Sequence, residues 1–235
     1  MERSVHITYN IEDHKNRYAI RDSIIHLIEH ARELSNKKKS DFKILDCGCG
    51  VGLFIRDLVE LGYTNVKGID IDATCVEKAS QFGDCQVASF TEVNKIFSES
   101  EFDLVILSHV LEHMEYPTGT LSKIREITKW MTIAVPNPLR LKIQMKYSVW
   151  GKNYSNKGHY HSWDRSHFHN FLTRFNDLRI EKWGIDRVRV IPFGFLRKPL
   201  NEIGILDPLE INIMPKILPY YSDSLIALCD IEDNS

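Results

Sequence analysis

Apolar and polar positions along the chain follow two alternating rhythms. In residues 11–35, Ile20, Ile24, Leu27, Ile28, Ala31 and Leu34 recur at three-four spacing, which predicts an amphipathic helix with one wet face. The run Lys37, Lys38, Lys39 ends it. Short apolar runs then take over: FKILD (42–46), VKGID (66–70), CQVAS (85–89), FDLVILS (102–108) and MTIAVP (131–136), separated by helical patterns such as Leu53, Leu58 and Leu61. Such runs read as strands buried on both faces, and their alternation with helices predicts a parallel sheet covered on each side. Beyond Pro136 the rhythm breaks. Residues 137–177 carry aromatics, polar groups and four histidines without a strand signal, and a helix is expected near 166–175. LRIEKWGI (178–185) and SLIALCDI (224–231) complete seven strands, and between them the stretch 192–219 holds five of the eight prolines.

The length of 235 residues fits one core, so the expectation is a single domain over 1–235. It carries the N-terminal helix at 11–35 and two insertions, 137–177 and 186–221, over the edge where such sheets bind ligands. With 43% hydrophobic and 26% charged residues the chain can bury a real core. Thirty Lys plus Arg against 32 Asp plus Glu leave a formal charge of -2, so no broad cationic field draws nucleic acid or an anionic membrane. No apolar stretch approaches a membrane span, and the first residues lack the apolar core of a secretory signal. Five cysteines in irregular spacing argue against a disulfide framework and for a reducing compartment, the cytoplasm.

The most informative segment is Asp46-Cys47-Gly48-Cys49-Gly50-Val51-Gly52, between a strand and a helix. Glycines there let a ligand lie against backbone at a helix amino terminus. A dinucleotide fingerprint would need glycine where Leu53 stands, and Asp46 would repel a pyrophosphate while suiting an ammonium or sulfonium. Asp70 ends the second strand, where a carboxylate can accept both hydroxyls of a ribose. Cys47 and Cys49 have no second cysteine pair to complete a zinc site and read as small turn residues.

With ILDCGCGVG (44–52), VKGIDID (66–72), FDLVILSHVLEHMEYP (102–117) and TIAVPNP (132–138) in this order, the chain resembles the class I S-adenosylmethionine-dependent methyltransferases over most of its length. The resemblance implies an α/β, Rossmann-like, seven-stranded, mostly parallel sheet with helices on both faces and an antiparallel last strand entering between its neighbours. It implies that Asp46, Gly48, Gly50 and Gly52 cradle the methionine part of S-adenosylmethionine and that Asp70, with Ile71 after it, holds the ribose. Ser108 ends the fourth strand beside this pocket. Where many relatives place an acid for adenine, this chain reads Ala88-Ser89-Phe90, leaving Ser89 for one hydrogen bond to the base.

After the fourth strand, His109, Glu112 and His113 would share one face if residues 109–113 form a helical turn. Two imidazoles and a carboxylate can hold a divalent metal with positions left open; the alternative is a capping and substrate-facing pair without metal. The segment is similar to that of the ubiquinone-pathway O-methyltransferases, which implies a metal held by His109, Glu112 and His113. His109 stands where those relatives have an acid, which favours Mn, Fe, Co or Zn over Mg.

Residues 159–169, HYHSWDRSHFH, concentrate four of ten histidines and face the acceptor side in this family, making His161 and His167 candidates for general base or further metal ligand beside His109 and His113. Trp150, Tyr154, Tyr160 and Trp163 could stack on a sugar or base or form a lid core, and Arg187, Arg189, Arg197 and Lys198 could meet a phosphorylated acceptor. Because an alcohol's high pKa makes a base or metal valuable, the expectation is O-methylation of a small hydroxylated acceptor, with a sugar or nucleotide-linked sugar ahead of a phenol. A protein or tRNA methyltransferase and a non-catalytic regulatory subunit are the alternatives.

Overall fold

The computed structural model describes residues 18–141, 143–144, 158–190, 199–200 and 202–231. Helix α1 spans Tyr18–Leu34. The alternating units are β1 (Ile44–Cys47), α2 (Leu53–Glu60), β2 (Val66–Asp70), α3 (Ala73–Ala79), β3 (Asp84–Val87), α4 (Val93–Ile96), β4 (Phe102–Ser108), α5 (Pro117–Ile127) and β5 (Thr128–Pro136). They are followed by α6 (Arg165–Thr173), β6 (Leu178–Gly184) and β7 (Ser224–Ile231). The seven strands form one sheet in the order β3-β2-β1-β4-β5-β7-β6. β7 runs antiparallel to both neighbours, pairing Thr132 with Leu228 and Ile180 with Cys229. The expected sheet and the inserted antiparallel last strand are thus both present.

Strand residues alternate between two apolar layers, as a sheet covered on both faces requires. Leu45, Val105, Leu107, Met131 and Ile133 point to one side, against Leu121, Ile124 and Ile127 of α5 and Phe168 and Leu172 of α6. Ile44, Leu104, Ile106, Ala134 and Leu228 point to the other, against Ile24, Leu27, Ile28 and Ala31 of α1 and Ile55 and Leu58 of α2. Each fully buried Leu or Ile contributes about 1.5–3 kcal/mol, so α1 is held by its stripe. Leu34, expected on that stripe, is exposed because it is the last residue of the helix. α1 is also tied to α2 by a buried ion pair, Arg21 Nε to Asp57 Oδ2 at 2.7 Å.

The reversal of strand order between β1 and β4 opens a crevice at their carboxyl ends, the place where open α/β sheets bind ligands. Asn137, at the end of β5, is buried and stitches this edge: its Nδ2 donates to the carbonyls of Tyr220 (3.0 Å) and Ser222 (2.9 Å), and its Oδ1 accepts from Leu139 N–H (2.9 Å). Residues 11–17 of the expected first helix, and Trp150, Tyr154, Arg197 and Lys198, lie outside the described residues. Among the described residues no helix is long and apolar enough to cross a membrane.

Candidate active site

The glycine turn is built by its backbone. Gly48 and Cys49 donate to the carbonyl of Ile69 at 2.8 and 3.0 Å, drawing the turn over the end of β2. Gly48 sits at φ 83, and a Cβ there would come within 2.7 Å of Val110 Cγ2. Gly52 caps α2 at φ 80, and a Cβ there would meet Ala79 Cα at 2.7 Å. Both positions therefore demand glycine on two grounds, left-handed backbone and close approach. The turn lies open toward the crevice at the start of α2, where free backbone N–H groups collect.

Two carboxylates flank it. Asp70 Oδ2 accepts from Gly50 N–H at 2.9 Å and Oδ1 from Asp72 N–H at 3.0 Å, so it clamps the turn to β2. A carboxylate offers about four lone-pair sites, leaving two for a ribose diol. Ile71, next to it, is 45% exposed, an apolar surface offered to a ligand. Asp46 is buried, and its Oδ2 has no hydrogen-bond partner. Burial, then the charge of Asp70, push its pKa up to about 7. An orphaned carboxylate under a glycine cradle fits a ligand that brings a cation, as an amino-acid ammonium or a sulfonium does. Ser89 caps the short turn Phe90–Glu92, its Oγ accepting from Thr91 N–H at 3.3 Å, and Ser108 closes β4 beside the crevice.

On the acceptor side the expected helical turn is shorter than predicted. Only Leu111–His113 is helical, of the 3₁₀ type, while His109 precedes it at φ 56. The left-handed backbone at His109 takes it off the helical face, yet its ring still reaches Glu112: Nδ1 lies 3.2 Å from Oε1, and Nε2 lies 3.4 Å from Ser224 Oγ. Both ring nitrogens of His109 are engaged. Among the described residues, the ligand atoms that converge, within 4.8 Å of one another, belong to Glu112, His113 and His159.

Glu112 is 1% exposed and its Oε2 is buried without a partner. His113 Nδ1 donates to the carbonyl of Gly158 at 3.0 Å, which leaves the Nε2 lone pair facing Glu112 Oε1 at 4.0 Å. Its ring meets His159 edge to face, with centroids 4.7 Å apart. Burial is the main cause that lowers the pKa of His159, which favours its neutral form. The carbonyl of Glu112 accepts from Tyr160 N–H at 2.8 Å, so one residue docks the 158–161 segment and supplies the central carboxylate.

His161 and His167 do not join this group. His161 stacks on Trp163 and contacts the Glu115 carbonyl at 3.3 Å. His167 is exposed on the first turn of α6, its Nδ1 2.7 Å from Oδ2 of the cap residue Asp164. Trp163 is buried against Phe168 and Phe171, as a lid core. The sequence marks the 159–169 segment and its H-x-H pair, but nothing in it ties His159 to His113, 46 positions away. Asp186 was also missed. It accepts from Ser224 N–H at 3.2 Å, and burial with the charge of Asp223 pushes it up to about 7.

A methyltransferase-domain family profile matches residues 13–177. The chain belongs to the methyltransferase-domain family. The resemblance to class I S-adenosylmethionine-dependent methyltransferases is thereby borne out. The ubiquinone biosynthesis O-methyltransferase of Rhodopseudomonas palustris is 28% identical to this methyltransferase domain over 186 residues, covering 74% of this chain and 70% of that one. The mitochondrial enzyme of that name from Candida albicans is 31% identical over 90 residues, 35% of this chain. The match spans 28% of the Candida protein's length. In fold, the domain is similar to the magnesium protoporphyrin IX methyltransferase of Synechocystis with bound S-adenosylhomocysteine, with a TM-score of 0.62 at 15% identity over 95% of this chain and 89% of that one.

Proposed function

We propose that the chain is an S-adenosylmethionine-dependent O-methyltransferase of a small hydroxylated acceptor, a sugar or nucleotide-linked sugar ahead of a phenol, acting in the cytoplasm. The observation that carries the methyl-transfer part is the orphaned Asp46 carboxylate beneath the glycine cradle, clamped by Asp70. All five cysteines are free thiols, as a reducing compartment favours. When bound, the sulfonium supplies the methyl group for an in-line displacement by the acceptor oxygen. The residues of this chain do the rest. Gly48, Gly50 and Gly52 admit the methionine portion against backbone, Asp46 balances its ammonium, Asp70 orients the ribose, and the 158–163 segment packed on Glu112 excludes water. Positioning the acceptor oxygen about 3–3.5 Å from the methyl carbon supplies much of the rate.

The O-acceptor part rests on Glu112, His113 and His159. The donor set fits a divalent ion: a buried carboxylate oxygen without a partner, a His159 whose pKa burial lowers, and a His113 whose Nδ1 is fixed by a carbonyl, the arrangement that orients ligating imidazoles. Two imidazoles favour Mn, Fe, Co or Zn. Such an ion would lower the pKa of a ligated hydroxyl. His109 holds Glu112 in place, and an uncoordinated His159 or His113 can accept the acceptor's proton. Chelation followed by metal add-back should abolish and restore turnover, and His113→Ala should lower metal content. Full turnover in excess chelator, with no metal by elemental analysis, would leave the three residues as acceptor contacts.

A further inference from the structure

At the same sheet edge as the histidine group lies a half-buried arginine that no side chain among the described residues pairs with. Arg140 follows the end of β5 by four residues. Its Nε is buried without a hydrogen-bond partner, and among the described residues its side chain forms no ion pair. Its neighbours are otherwise committed. Asp223 holds Arg189 at 2.7 Å, Arg187 pairs with Asp207 at 3.2 Å, and Asp186 accepts from the backbone of Ser224. Asp186 and Asp223 act on Arg140 only as nearby charges, and Arg189 opposes them. Burial lowers the pKa of the guanidinium, so this charge is held against desolvation without a dedicated counter-ion among the described residues.

His109 N–H donates to the carbonyl of Ala134 in β5 at 2.8 Å, and Arg140 N–H to that of Asn137 at 3.3 Å, so the turn that carries Arg140 leaves β5 beside the segment that carries Glu112 and His113. Arg140 therefore stands at the sheet edge that also carries the glycine cradle and the histidine group. A planar guanidinium with free N–H donors matches the two oxygens of a carboxylate or phosphate.

We propose that Arg140 binds an oxyanion, a carboxylate or a phosphate, carried by the methyl acceptor, and so holds the acceptor's hydroxyl at the histidine group. The proposal rests on the methyl-transfer reading above and narrows its substrate to an anionic one. It adds an attractive contact at one end of the acceptor and leaves a neutral sugar or phenol with the buried Nε of Arg140 still unpaired, which disfavours it.

The test uses the full chain saturated with S-adenosylhomocysteine and titrated with benzoate or inorganic phosphate at constant ionic strength in sodium chloride, followed by calorimetry and by the His159 ring resonances. At least one anion should bind to wild type and move the His159 signals, Arg140→Gln should weaken it about tenfold or more, and Arg140→Lys should keep part of the affinity. Benzoate and phosphate arms tell a carboxylate from a phosphate acceptor. Unchanged S-adenosylhomocysteine affinity in Arg140→Gln shows that the fold is intact. Anion binding that ignores Arg140→Gln and Arg140→Lys, or no binding above chloride, overturns the proposal while cofactor binding stands. Absence of S-adenosylhomocysteine binding to wild type instead overturns the methyl-transfer reading on which it rests.

Discussion

Cofactor binding should be linked to one proton, and Asp46 is the group that releases it. In the free protein, burial and then Asp70 push the Asp46 pKa from 3.8 up to about 7, a shift of about three units, so charging this carboxylate in the free site costs about 4 kcal/mol. A bound ammonium offsets that cost and returns the pKa toward its ordinary range. Below pH 7 the ligand must therefore displace a proton, and affinity should fall by roughly twentyfold between pH 7.5 and pH 5.5. Calorimetric titration of S-adenosylhomocysteine at pH 6, in buffers of different ionisation enthalpy, should show close to one proton released per ligand bound. Asp46→Asn should bind more weakly at pH 7.5 and lose both the slope and the release. The sign for the free protein follows from the same shift. Asp46 and Asp186 both have raised pKa values, so their contribution to stability is complete below about pH 4 and lost as pH rises toward 7. Wild-type affinity that is flat from pH 5.5 to 7.5 without proton release, or an unchanged slope in Asp46→Asn, would refute the reasoning.

Gly52→Ala should destabilise the domain by about 2 kcal/mol or more and lower the melting temperature, since its Cβ would lie 2.7 Å from Ala79 Cα at a left-handed backbone angle. Asp164→Ala removes the cap that accepts from His167 N–H at 2.9 Å and should cost about 1 kcal/mol by urea denaturation, with cofactor affinity unchanged. His167→Asn should leave kcat near wild type, whereas His159→Asn should lower kcat more than cofactor affinity; the reverse pattern in steady-state kinetics would return the acceptor role to the first turn of α6.

The sheet was legible because its information is local. The runs FDLVILS and MTIAVP hold uninterrupted apolar stretches, Leu104 to Leu107 and Ile133 to Val135, as strands covered on both faces do. The glycine turn was legible for the same reason: Asp46 and three glycines within one strand-turn-helix unit, with Asp70 at the end of the next strand, leave few alternatives. The histidine group was only half legible. Glu112 and His113 are neighbours in sequence, but the third member is brought in by the N–H of Tyr160 docking on the Glu112 carbonyl, a contact no spacing rule contains. His109 misled because three-four spacing on one face assumes a helix, and its backbone sits at φ 56. Arg140 and Asp186 gave no sequence signal, since their meaning depends on which partners are already taken.

The central claim, that the turn at 48–52 and Asp70 form an S-adenosylmethionine site, is tested most directly by one calorimetric comparison at pH 7.5. Wild type should bind S-adenosylhomocysteine at one site per chain. Asp70→Ala, which removes the clamp on Gly50 N–H along with the ribose contacts, should weaken binding by about 2–3 kcal/mol, some thirtyfold or more. Tight NADH binding with no affinity for S-adenosylhomocysteine, or an Asp70→Ala variant that binds as wild type does, would contradict the account.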